Sequence, residues 1–156
     1  MAAAVVPLVS VGPEDFDLAA EIGRLTDGKL DVGAVVTFSG ICRDESGMLL
    51  ALELEHYPGM AQAEIARIAE EAVKRWPLTG LTAIHRVGKI APGENIVLMV
   101  AASAHRQAAF EAASFLMDYL KSDAPFWKKE HLSDGSAGGW VDAKETDAAA
   151  LDRWRS

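Results

Sequence analysis

Apolar positions in residues 103–121 recur with the period of an α-helix, placing Phe110, Ala113, Met117 and Leu120 on one face. Ser103 is a residue type that caps helix N-termini, and Pro125 stops the chain soon after Lys121, so one helix is expected over 103–121. Residues 60–76 carry the same period, with Ile65, Ile68, Ala72, Val73 and Trp76 on a single face and Pro77 and Gly80 closing the segment. A further helix is expected from Pro13 to about Leu25, because proline and acidic residues suit a first helical turn. Residues 50–57 alternate instead, the pattern of a half-buried strand. Residues 5–11, 33–40, 81–88 and 96–102 also read as strands, with turns at 27–31, 44–47 and 92–95.

Beyond Pro125 the pattern weakens. Pro125-Phe126-Trp127 reads as a bend, and residues 133–139 have the small, polar composition of a flexible loop. Order is expected to resume over 140–144, and residues 147–154 read as a short last helix in a loosely held tail. The resulting order is strand, helix, strand, strand, helix, strand, strand, helix, tail. The βαβ alternation that an all-parallel sheet needs is broken twice, so the expected fold is α+β, with helices packed on a mixed, largely antiparallel sheet. With 156 residues the chain suits a single domain, 1–156, that buries one core without disulfides or metals.

Charge and composition narrow the possible partners. A net charge of −8 argues against a broad nucleic-acid or anionic-membrane surface, which requires a sustained positive field. No run of about 18 apolar residues occurs, the Met-Ala-Ala-Ala-Val-Val-Pro start lacks the basic residues of a signal peptide, and the single cysteine excludes an internal disulfide. A cytoplasmic chain is expected. Arg43, Arg106, Lys121, Lys128 and Lys129 fall at the edges of predicted elements. A cationic pocket on an acidic body suits a small anionic substrate; a solvated scatter of charges is the alternative.

Candidate chemistry gathers at both ends of the 103–121 helix. His105 and Arg106 lie in its first turn, where free backbone N–H groups already favour an anion, although solvated arginines also occur there. Lys121 and Lys128 lie at and beyond its far end. A lysine beside another cation has its pKa lowered and supplies a neutral amine as base or nucleophile; the alternative is that Lys121 complements the helix C-terminus and Lys128 is solvated. His56, His85, His105 and His131 lack paired metal-ligand spacing, and His56 and His85 read as structural residues within strands. Cys42 beside Arg43 is either an activated thiolate or a small buried hydrophobe. With one cysteine there is no thiolate cluster, so a metal site is not expected, and no phosphate loop, dinucleotide fingerprint or nucleophile elbow is present.

Several ordered segments together resemble the large, catalytic subunits of molybdopterin synthases. They are Gly33-Ala-Val-Val-Thr-Phe-Ser-Gly40 with Arg43, Leu54-Glu-His-Tyr-Pro-Gly-Met60, Arg75-Trp-Pro-Leu78, Ile84-His-Arg-Val-Gly88, Ser103-Ala-His-Arg106, and Met117-Asp-Tyr-Leu-Lys121 through Ala124-Pro-Phe-Trp-Lys-Lys-Glu130. The resemblance implies conversion of cyclic pyranopterin monophosphate to molybdopterin by a sulfurtransferase that installs two sulfurs without a cofactor. It also implies a partner: a small ubiquitin-like sulfur-carrier subunit whose C-terminal Gly-Gly is a thiocarboxylate, with two copies of each subunit assembled around a homodimer of the large one. Carried over by position, Arg43, His105 and Arg106 bind the pterin phosphate, Lys121 and Lys128 lie closest to the chemistry, and Lys129 and Glu130 join the substrate-binding set. Glu130 either orients Lys128 or is a plain surface charge. Ile41 stands where the family often has lysine, and Cys42 where it often has an aliphatic residue. Two other classes remain open at this point, a Cys42 persulfide sulfurtransferase and a non-catalytic module that binds the carrier tail or a phosphorylated ligand. Fifteen helical residues separate Arg106 from Lys121, about 22 Å at 1.5 Å per residue, so a site using both ends is expected to draw on two chains.

Overall fold

A computed structural model describes residues 5–123, 125–135, 137–141 and 150–155. Its central element is strand β6 (Asn95–Ser103), an apolar run with no charged residue. Alternate side chains of a strand point to opposite faces, and here both faces are covered. Val97, Met99 and Ala101 meet the helices α2 (Met60–Arg75) and α3 (Arg106–Asp123). Leu98, Val100 and Ala102 meet Leu25 of α1 (Leu18–Thr26) on the other side.

Strand β6 pairs antiparallel with β4 (Leu78–Arg86) and with β2 (Ala34–Ile41), and β1 (Leu8–Gly12) adds to β4 in parallel. The order β1-β4-β6-β2 makes the first sheet mixed. A second sheet, β5-β3-β7-β8, is antiparallel throughout and contains β5 (Gly88–Ile90), β3 (Leu49–His56), β7 (Phe126–Leu132) and β8 (Ala137–Val141). Its buried cluster of Cys42, Leu54 and Ile90 joins the first sheet through Ile96. The expected α+β class with a mixed, largely antiparallel arrangement is therefore the observed one. Among the described residues, no helix is long and apolar enough to cross a membrane.

Four expectations change. Ser103 ends β6 rather than capping α3; its hydroxyl donates to the Pro77 carbonyl at 2.8 Å and accepts from the His105 N–H at 3.3 Å. Phe110 is 60% exposed, and the buried stripe of α3 runs through Ala109, Ala112, Leu116 and Leu120, because small residues let the helix lie close against β6. Helix α1 begins at Leu18, capped by the Asp17 carboxylate accepting from the Ala20 N–H, so Pro13 and Glu14 precede it. Phe126 and Trp127 open β7, and residues 137–139 of the expected loop lie in β8. These last strands lack apolar alternation and are set by their neighbours, β7 aligning Leu54 with Lys128 and His56 with Phe126. In the tail, residues 142–149 lie outside the described residues, while Leu151 is buried and Trp154 packs edge-on against Trp76 and Phe115.

Gly33 fixes how β2 approaches the start of α3. Its N–H donates to the Ser103 carbonyl at 3.0 Å, and a Cβ built there would lie 2.2 Å from the Ala104 carbonyl oxygen. That obstacle is backbone and cannot rotate aside. Gly33→Ala is expected to lower unfolding stability by about 1–3 kcal/mol. The check is a denaturant titration in which the midpoint falls while the slope is unchanged.

Candidate active site

The two candidate lysines arrive on different elements. Helix α3 starts beyond the Ser103 end of β6 and runs back along the sheet, so Lys121 lies in its last turn, exposed, at the opposite end from Arg106. Strand β7 presents Phe126, Lys128 and Glu130 on one face and Trp127, Lys129 and His131 on the other. Lys128 shares its face with the buried Leu54 opposite it. Both lysines lie near His85, at the end of β4, and both oppose its protonation.

His85 is only 9% exposed and lies flat on Phe126, with ring centroids 4.0 Å apart and planes 16° apart. Its Nδ1 is 2.8 Å from the Arg86 carbonyl oxygen, which only accepts, so the proton sits on Nδ1. Burial is the main reason its pKa falls to about 4; the Arg86 carbonyl opposes this, and Lys128, Lys121 and His56 add to the depression. His85 is thus a neutral imidazole among cations. On the facing strand, the Nδ1 of His56 is buried without a hydrogen-bond partner among the described residues. Arg86 serves the fold instead. Its guanidinium donates to the carbonyls of Pro13 and Asn95, tying the end of β4 to the chain before α1 and to the start of β6.

Arg43 lies at this same end. It follows β2, whose Ile41 aligns with Asn95, and the Cys42 N–H donates to the Glu94 carbonyl at 2.9 Å. Its side chain is 76% exposed and pairs with Glu45. An exposed pair contributes little stability, so the guanidinium can exchange Glu45 for an anionic ligand at small cost. An open groove of about 470 Å³ is lined by Met60, Ala63, Glu64 and Arg67 of α2 and by Pro125, the residue before β7.

The remaining candidates lie elsewhere. His105 and Arg106 are exposed at the N-terminus of α3, where β6 aligns with Ala34 and Leu78, at the far end of the sheet from His85. A single chain therefore does not bring them to the lysines. Lys129 points to the outer face of the second sheet, opposite Glu53, among Glu55 and His131. There His131 Nε2 and the Glu53 carboxylate are 2.7 Å apart, and that contact is the main cause of Glu53's lowered pKa. Glu130 is exposed on the Lys128 face. Cys42 is 4% exposed, and burial pushes its thiol up, so the adjacent arginine does not make it a thiolate.

Sequence reasoning passed over His85, His56 and Phe126. One signal was available for His85: in β4 it has the same parity as Leu81 and Ala83, which face α2 and α3. Nothing in the sequence shows that Phe126 would cover it.

Residues 11–123 match the family model described as MoaE protein. A relative from Mesorhizobium japonicum, named molybdopterin synthase catalytic subunit, is 74% identical over 156 residues, covering 100% of this chain and 98% of its own. One of the same name from Escherichia coli is 47% identical over 148 residues, covering 94% of this chain and 97% of its own. A solved structure described as a molybdopterin biosynthesis MoaE protein, from Burkholderia ambifaria, superposes with a TM-score of 0.82 at 43% identity, covering 96% of this chain and 99% of its own.

The buried His85 sets a pH dependence. Its pKa in the fold is about 4, below the ordinary 6.5, so the unfolded chain takes up the proton first. Its contribution is complete above pH 6.5 and is lost as pH falls from 6.5 to 4, about 3 kcal/mol in all. Urea unfolding of the wild type and His85→Phe across this window checks it, the variant giving the shallower acid decline.

Proposed function

The chain belongs to the MoaE protein family, that of the molybdopterin synthase catalytic subunit, a sulfurtransferase of molybdenum cofactor biosynthesis, and from this premise we propose how its residues divide the work. The enzyme converts cyclic pyranopterin monophosphate to molybdopterin. Each sulfur comes from the thiocarboxylate at the C-terminus of a small ubiquitin-like carrier subunit, and the carrier leaves as the ordinary carboxylate. The observation that carries this assignment is that Lys121, in the last turn of α3, and Lys128, on the Phe126 face of β7, come from separate elements to the end of the sheet that holds the buried His85. Two amines at one place serve sulfur transfer either by carrying protons or by holding the carrier's acyl group transiently.

Arg43 lies at the same end and binds substrate phosphate through a fork that suits phosphate oxygens. Glu130, exposed on the Lys128 face of β7, joins the substrate-binding set. Lys129, on the other face, meets substrate or carrier only along the outside of the second sheet. His105 and Arg106 complete the phosphate site from a second copy, because α3 holds them about 22 Å from Lys121. The working unit is then a homodimer with one carrier at each site, a heterotetramer in the reducing cytoplasm that needs no bound cofactor. A persulfide on Cys42 is disfavoured by its burial and raised thiol pKa.

Reconstitution with thiocarboxylated carrier and cyclic pyranopterin monophosphate tests the assignment by the yield of dithiolene product. Lys121→Ala and Lys128→Ala are expected to lower turnover by about 100-fold or more with the fold intact, and Cys42→Ala to stay within about twofold of wild type. Substantial turnover in either lysine variant refutes the assignment.

The shared site has its own test. Lys121→Ala and Arg106→Ala chains, each inactive alone, are expected to regain activity once mixed, since each hybrid dimer contains one unaltered site. Native mass spectrometry reports whether hybrids form. Hybrids without activity would rule out a site built from two chains.

A further inference from the structure

The two nitrogens of an imidazole lie on opposite sides of the ring. In His85 the Nδ1 side is turned back to its own strand, donating to the Arg86 carbonyl at 2.8 Å, so Nε2 faces away from β4. The ring cannot swing freely, because one face lies on Phe126 at 4.0 Å and the residue is buried. Phe126 and Lys128 are two apart on the same face of β7, so the ring covering Phe126 lies beside the base of Lys128. The charged or titratable groups acting on His85 from the packed elements are Lys128 on β7, Lys121 on α3 and His56 on β3. The neighbouring guanidinium of Arg86 is engaged by the Pro13 and Asn95 carbonyls. Among the described residues no carboxylate is one of the groups that shift His85, and its Nε2 lone pair is an acceptor that a lysine ammonium can use.

We propose that His85 is a positioning residue for the lysine pair, its Nε2 lone pair accepting a hydrogen bond from the Lys128 ammonium and fixing that amine against Lys121. The proposal rests on the assignment of Lys121 and Lys128 to sulfur transfer. A neutral acceptor suits the place better than a carboxylate would. It orders the amine without neutralising the positive field that draws phosphate and carrier terminus, and it adds no further positive charge that would drive the lysines apart. Phe126 fixes the plane of the ring and the Arg86 carbonyl fixes its tautomer. Backbone and packing together therefore decide where one lysine points.

Three variants and one spectrum test this on the full chain with its carrier. His85→Phe keeps a ring on Phe126 and removes both nitrogens, and is expected to lower kcat about tenfold or more while KM for the pterin stays within about twofold. In His85→Gln the amide oxygen reaches the Nε2 position, and kcat is expected to recover to within about threefold of wild type. Lys128→Ala is the third arm. If it retains turnover, the lysine assignment fails; if it is inactive while His85→Phe matches wild type, only the positioning role fails. A purely structural histidine would give the opposite ranking, with phenylalanine tolerated and glutamine destabilising. Long-range ¹H–¹⁵N spectra of wild type and Lys128→Ala near pH 7 decide the question without any substitution of His85. The expected signature is a neutral Nδ1–H tautomer of His85 whose Nε2 signal moves in Lys128→Ala. An Nε2–H tautomer, or an Nε2 signal indifferent to Lys128, overturns the proposal.

Discussion

The burial of β6 on both faces is the constraint from which the rest of the architecture follows. A strand with one solvated face can slip or bend locally, but β6 has Met99 under α2 and α3 and Leu98 against α1, each almost fully buried. A one-residue slip would exchange the two sets and clash with both layers. The strand therefore fixes where α3 begins, and Gly33, within van der Waals reach of the Ala104 carbonyl, fixes how closely β2 follows. From that start an 18-residue helix carries Lys121 to the far end of the sheet. The separation of Arg106 from Lys121 is a consequence of helix length, not of loop conformation.

The charge distribution follows from the same geometry. The chain carries a net charge of −8, yet the end of the sheet near His85 gathers Lys121, Lys128 and Arg43. Glu45 pairs with Arg43 at this end, and three other carboxylates are engaged elsewhere: Glu53 with His131, Glu111 with the Trp76 indole N–H, and Asp118 with Arg153 and the Trp154 indole N–H. A neutral His85 adds no third positive charge beside the two lysines. The same burial that keeps it neutral makes the fold sensitive to acid, so the local electrostatics and the global stability share one cause.

The cysteine shows how packing can reverse a local electrostatic argument. Beside Arg43, Cys42 has the sequence context of an activated thiol, but its side chain turns into the cluster of Leu54 and Ile90 while the guanidinium turns to solvent. Adjacent residues at a strand end point in opposite directions, so sequence adjacency does not bring the charge to the sulfur. Burial then controls the thiol.

Periodicity alone determined α2, the alternating β3 and the apolar runs of β4 and β6, because each contains enough of its own hydrophobic pattern to be read without a neighbour. It also marked Lys121 and Lys128 as cations at element ends, and the rise per residue of a helix was enough to separate Lys121 from Arg106. Tertiary structure decided what those local patterns do not contain. Strands β7 and β8 exist through pairing with β3, so a segment as polar as Phe-Trp-Lys-Lys-Glu-His-Leu was legible only as a bend. The buried stripe of α3 moved from Phe110 to Ala109 and Ala112, because close approach to β6 selects small side chains over large ones. His85 looked like an ordinary strand histidine since its chemistry depends on Phe126, a residue distant in sequence that arrives on another sheet. A protonation state is set by burial and neighbouring charge, and both are properties of the folded chain rather than of any stretch of it.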